Sequence, residues 1–127
     1  MTDKSAVTTL YARLGGYDAF AALNEELFPR LIADPEIGRF WKNRSADSIR
    51  REKQLALEYN TAVSGGPSYY IGRDLVTTHR GMGITARDWE VFLGHLMALF
   101  DQFEVPEPER SEMLAIIENS RAEIVDR

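Results

Sequence analysis

The sequence has no cysteine, which excludes disulfide scaffolds, thiolate-held zinc or iron–sulfur centres, and thiol nucleophiles. Histidine is almost as scarce. The two present, His79 and His95, are too few for a protein zinc site that needs three or four ligands unless carboxylates complete it. Positive charge is not in excess: 15 Lys and Arg stand against 20 Asp and Glu, a formal net charge of −5. A nucleic-acid backbone rewards the opposite balance. No apolar run approaches the roughly 20 residues needed to cross a bilayer. Met1 to Thr8 are polar, without the apolar stretch of a secretion signal, and read as a flexible lead-in. The expectation is therefore a soluble cytoplasmic protein with neither nucleic-acid nor membrane partners. With 127 residues, 44% of them hydrophobic and 28% charged, the chain suffices for one compact domain, residues 1–127, and is too short for two.

Strand signals are nearly absent, the best being Tyr69-Tyr70-Ile71, and the patterning is helical. From Asp18 to Ala33, Phe20, Leu23, Leu27, Leu31 and Ile32 recur at spacings of three and four, one face of a helix. Pro29 lacks an N–H inside that run, so a kink or early break is expected there. Asp34-Pro35 ends it. A second helix is expected from about Ser48 to Ser64, with Ile49, Ala56, Tyr59 and Val63 inward, stopped by Gly65-Gly66-Pro67. A third opens at Thr85, with Asp88 three residues on as in a capping box, and carries Trp89, Phe92, Leu93, Leu96, Phe100 and Phe103. The fourth opens at Pro106 to Glu109, with Met113, Ile116, Ile117 and Ile124 as its stripe. The class is all-α.

Between the second and third helices, Gly65 to Ile84 form about twenty residues of little periodicity, a length that compact domains seldom keep without a use. A short helical turn from Asp74 to Arg80 would set Leu75, Val76 and His79 on one side. In most proteins a lone histidine beside apolar residues is simply a core or surface residue. The alternatives in catalysis are thin, however. No nucleophile elbow accompanies the histidines, and neither glycine pair follows a strand or precedes Gly-Lys-Ser/Thr as a phosphate loop would. One imidazole in an apolar cleft does suit a cofactor that brings its own metal and four ligands, namely haem.

Several motifs occur in order along nearly the whole chain: Leu10-Tyr11-Ala12-Arg13-Leu14-Gly15-Gly16, Ala33-Asp34-Pro35, Arg39-Phe40-Trp41, Gly65-Gly66-Pro67-Ser68-Tyr69-Tyr70-Ile71-Gly72-Arg73-Asp74-Leu75, His79-Arg80-Gly81-Met82-Gly83-Ile84 and Gly94-His95-Leu96. Each is weak alone; jointly they resemble the truncated haemoglobins of group I, a globin family with a two-over-two helical sandwich. The resemblance implies haem b (heme b, iron protoporphyrin IX) held by His79 as the proximal, metal-ligating residue. It places Phe40 and Trp41 against the haem face, the second site being more often Phe, and Leu75, Ile84 and Phe92 in the pocket lining. Arg50, Arg51, Lys53, Tyr70 and Arg73 become candidates to meet the propionates, since carboxylates at a pocket mouth want cations and hydroxyls; a solvated basic face is the plainer account of any one of them. His95, in Gly94-His95-Leu96, resembles a structural feature rather than a second ligand.

The distal side departs most from the family. Where a tyrosine often donates to bound oxygen, this chain has Phe28. Positions that often carry glutamine or another polar group fall on Glu52 and Ala56, with a short insertion after Trp41 leaving Glu52's orientation open. Tyr59 occupies a usually aromatic pocket site, and Asn60 beside it could reach in. Oxygen on ferrous iron carries partial negative charge, and one hydrogen bond to it is worth roughly 1–3 kcal/mol. An apolar distal pocket with weakened oxygen retention is therefore expected, NO and CO being disfavoured less. The resemblance further implies diatomic gas ligands, oxygen binding and transport or NO oxidation to nitrate, and an electron-donating reductase to keep iron ferrous. A haem-sensing or haem-free helical interaction module is the competing reading; it would have no need of His79 and its apolar surroundings.

Overall fold

The computed structural model describes residues 9–67, 72 and 74–126, which form helices and turns with no strand among them. The expectations for Met1 to Thr8 and for Tyr69-Tyr70-Ile71 lie outside the described residues. Helix α1 (Leu10–Arg13) is four residues long, too short to leave a period in the sequence. Thr9 caps it, the hydroxyl accepting from the Ala12 N–H at 3.1 Å. Gly15, at φ 112°, then turns the chain into α2 (Gly16–Ala33); a side chain in that left-handed conformation would be strained.

Of the kink or early break expected at Pro29, the break does not occur: helix α2 runs continuously through it. Proline removes one ladder bond in the last turns of the helix. The flanking Phe28 and Leu31 are both buried, and their packing holds the backbone helical across the gap. After α2 the Asp34 carboxylate accepts from the N–H groups of Glu36 (2.7 Å) and Ile37 (3.0 Å). That turn launches a 3-10 segment, Ile37–Trp41, which periodicity did not reveal.

Helix α3 (Ala46–Val63) starts two residues ahead of the expected Ser48, because Ser45 is its cap, accepting from the Ser48 N–H at 3.1 Å. It stops where the glycine pair stops it, Gly65 lying at φ 94°. Gly66 packs so closely on α1 that a Cβ there would come within 2.8 Å of the Tyr11 ring and 2.6 Å of the Thr61 methyl. Helix α4 (Leu75–His79) is the short turn expected, capped by Asp74. Helix α5 (Ala86–Gln102) has the full capping box between Thr85 and Asp88. Helices α6 (Glu107–Asn119) and α7 (Arg121–Ile124) follow, parted by a bend at Ser120.

Helix α2 is the centre of the packing, lying against α3, α5 and the 3-10 segment, while α6 meets α1 and α4 meets α7. The core is where α1, α2, α3, α5 and α6 converge: Leu10, Phe20, Leu57, Leu96, Phe100, Val105 and Met113. Burying each such side chain stabilises the fold by about 1.5–3 kcal/mol. Two long-range polar contacts fix the 3-10 segment and its approach. Arg39 donates to both oxygens of the buried Asp88 carboxylate, at 3.0 and 2.7 Å. His95 Nε2 lies 2.7 Å from Asp34 Oδ2.

Candidate functional site

His79 is presented by a five-residue helix and oriented by it. Its Nδ1 lies 2.8 Å from the Leu75 carbonyl oxygen. A carbonyl only accepts, so Nδ1 carries the proton, and in the neutral ring the lone pair sits on Nε2. Among the described residues nothing hydrogen-bonds to Nε2. Leu75 and Val76, one turn earlier in the helix, are half-buried like His79, and no residue of α4 is fully buried. The helix is held at its start by Asp74, which accepts from the Thr77 N–H and hydroxyl, each at 2.8 Å. These two donors hold the Asp74 carboxyl below its usual range. Ile84, also half-buried, accepts through its carbonyl from the Asp126 N–H at 2.9 Å.

A second group of the expected residues gathers across α2, the 3-10 segment and α3. Phe28 is buried, and Trp41 meets it edge-to-face with ring centroids 6.3 Å apart. Phe40 stands edge-to-face to Trp41 on the other side, at 6.4 Å, with the Arg39 guanidinium 4.3 Å above its ring. Glu52, whose direction the sequence left open, points at Trp41: its Oε2 accepts from the indole Nε1–H at 3.0 Å. Its other oxygen takes Arg44. Arg44 in turn donates to the Ser48 hydroxyl from Nε (3.1 Å) and Nη2 (2.8 Å). Ala56, one turn beyond Glu52, and Tyr59 are half-buried.

Phe92 rests against Trp89 at 5.6 Å and, with Asn60, Leu23, Leu27, Leu57 and Leu96, lines an apolar cavity of about 90 Å³ in the core. His79 does not line that cavity. Lys53 is engaged on the other side of α3, its Nζ 2.9 Å from Glu25 and its carbonyl accepting from the Asn24 amide. Arg50 pairs with Asp47 one turn back. Tyr70 and Arg73 lie outside the described residues. His95 is tied to Asp34, whose carboxyl is lowered first by that contact and then by the N–H groups of Ile37 and Glu36.

Arg44 and Asp88 belong to the site's framework and were not picked out by the sequence. The signal for Arg44 was the insertion after Trp41, which supplies the residue; Asp88 was visible only as a cap. The Arg39 guanidinium, and after it the Thr85 N–H, hold Asp88 below the usual carboxylate range. Among the described residues no group of three or more His, Asp or Glu is placed to hold a metal ion. A donor set of one imidazole, its Nε2 lone pair unclaimed among the described residues and half-buried Leu75 and Val76 sharing its short helix, fits a cofactor that supplies its remaining ligands itself.

The model of the bacterial-like globin family matches residues 9–126. A group 1 truncated hemoglobin of Mycolicibacterium paratuberculosis is 30% identical over 114 residues, covering 90% of this chain and 82% of that protein. A group 1 truncated hemoglobin of Tetrahymena pyriformis is 24% identical over 119 residues, covering 94% and 96%. Among solved structures, the Fe(III) form of the Tetrahymena pyriformis truncated hemoglobin superposes with a TM-score of 0.86 at 24% identity, over 94% of this chain and 100% of that one. The 2/2 hemoglobin of Synechococcus gives 0.84 at 22% identity, over 94% and 100%. The chain belongs to the bacterial-like globin family as a truncated haemoglobin, and its helices form the two-over-two arrangement. Membership in that family implies a haem-binding globin. No helix among the described residues is long and apolar enough to cross a membrane.

Proposed function

We propose that the protein binds haem b through His79 Nε2 and takes up the diatomic gases O2, NO and CO on the opposite side. The observation that carries this reading is the Nδ1 contact to Leu75, which fixes the tautomer and aims the Nε2 lone pair away from the helix. When bound, haem would supply the iron at which a gas ligand is held. The chain's own residues supply the rest. Leu75, Ile84, Phe92, Phe40 and Trp41 wall the cofactor with apolar surface, which excludes water. Lys53, Tyr70 and Arg73 remain the candidates for the propionates, Lys53 on condition that it exchanges Glu25 for a haem carboxylate.

On the distal side Phe28 and Ala56 have no polar hydrogen to offer, and the one indole N–H nearby is held by Glu52. Such a wall discriminates by charge. Oxygen, which draws electron density when bound, gains no hydrogen bond from Phe28 or Ala56, while NO and CO lose little by the lack of one. This selectivity favours binding of NO and CO over oxygen transport, and suits a cytoplasmic setting; oxidation of NO to nitrate would take O2 as the oxidant and one electron from a separate reductase (NO + O2 + e− → NO3−).

Absorption spectroscopy tests the assignment. The purified or haem-reconstituted protein should show a Soret band and a ferrous-CO spectrum, and His79→Ala should abolish tight haem binding. A variant that keeps the wild-type spectrum would move the iron ligand elsewhere.

A further inference from the structure

Resting on the haem reading, we infer that Glu52 is a specificity-determining positioning residue: it latches the Trp41 indole N–H and so withholds a hydrogen-bond donor from the distal ligand. Trp41 stands where the resemblance has a phenylalanine more often, and it brings with it an N–H that phenylalanine lacks. It lies edge-on against Phe28, at the site where the family often places its tyrosine donor. Where Trp41 meets Phe28 the distal wall thus has a donor-bearing ring beside an apolar one, and the fate of that donor sets the polarity at that contact.

Glu52 decides it. The indole donates to Oε2 at 3.0 Å, and a carboxylate acceptor makes a bond roughly twice as strong as a neutral one. A diatomic ligand carrying only partial charge does not compete with it. The acid is itself held. Arg44 takes its other oxygen and balances its charge, and Arg44 is anchored on the Ser48 hydroxyl by two contacts. Three residues from the insertion and the first turns of α3 therefore fix one proton in place. Trp89 gives an internal comparison: its indole also donates to a glutamate, Glu118, at 3.0 Å, but it lies in the buried contact between α5 and α6.

The test joins ligand kinetics to a readout that needs no haem. In Glu52→Leu the Trp41 indole proton should lose its protection from hydrogen exchange, read from the two indole ¹⁵N–¹H signals, with Trp89 unchanged. In the haem-loaded protein the freed donor should slow oxygen dissociation about tenfold, the factor equivalent to roughly 1.4 kcal/mol, and move CO dissociation much less. The double variant W41F/E52L should lose that gain. Glu52→Gln keeps an acceptor oxygen and should restore the protected signal. A freed Trp41 signal with unchanged oxygen dissociation overturns the proposal, as does a gain that survives W41F/E52L. A native protein that takes up no haem overturns the haem reading instead. The exchange measurement then still judges the latch, which falls if protection is unchanged in Glu52→Leu.

Discussion

Around Phe28 and Trp41 the polar contacts cross between elements: Trp41 to Glu52, Arg39 to Asp88, His95 to Asp34. Around His79 they are local to one short helix, Asp74 to Thr77 and His79 to Leu75, and that helix packs mainly on the four-residue α7. A wall tied to several elements opens only when they separate together. A single turn held by its own cap opens at small cost. On the proposed haem reading, the distal side is therefore built to keep a fixed polarity toward the ligand, and the proximal side to admit and retain the group that His79 would bind.

The contrast can be broken at its strongest point first. Asp88→Ala removes both the capping box and the buried partner of Arg39. It should destabilise the fold by about 2 kcal/mol, lowering the melting temperature by roughly 7 °C. The loss should depend on pH. Because Asp88 titrates below the ordinary carboxylate value of about 3.9, its contribution is complete above that pH and fades as pH falls through its lowered folded value. Urea unfolding of both proteins should thus converge in acid; a constant gap down to the acid limit would place the effect elsewhere.

Phe28→Tyr adds the donor that the distal wall lacks and should slow oxygen dissociation about tenfold. If oxygen leaves at the native rate, Phe28 does not face the ligand. On the proximal side, Asp74→Ala should leave the melting temperature nearly unchanged, since a local turn contributes little to global unfolding. Transfer of haem to an excess of acceptor globin should nonetheless run about fivefold faster, the order expected of one lost cap. Equal changes in both quantities would erase the distinction between the two sides. The smallest effect belongs to Asp47→Ala, which breaks the exposed Arg50 pair. Neither stability nor gas binding should move measurably.

The helices were legible because their signals are short-range. Thr85 with Asp88, Gly65-Gly66-Pro67 and the stripes on α2 and α5 each lie within a few residues of what they control. The turn carrying His79 was legible for the same reason, from Leu75, Val76 and His79 at helical spacing; that Asp74 caps it is seen in the structure. Helix α1 and the 3-10 segment were not, being too short for a period. Pro29 did not end the helix: its local cost is real, but the flanking Phe28 and Leu31 are buried and favour continuation. At the site, Phe28 and Ala56 could be seen as apolar from the sequence, whereas the direction of Glu52 and the role of Arg44 could not.

By itself the chain of residues determined an all-helical fold, its caps and stops, and a single imidazole aimed from one short turn, since each is encoded by neighbours a few positions apart. Tertiary structure alone decided that Trp41 donates to Glu52, that Arg39 closes on Asp88 and that Asp34 receives His95. Those pairs are 11, 49 and 61 residues apart. Their geometry depends on how the 3-10 segment, α3 and α5 are set around α2, and no local pattern records that.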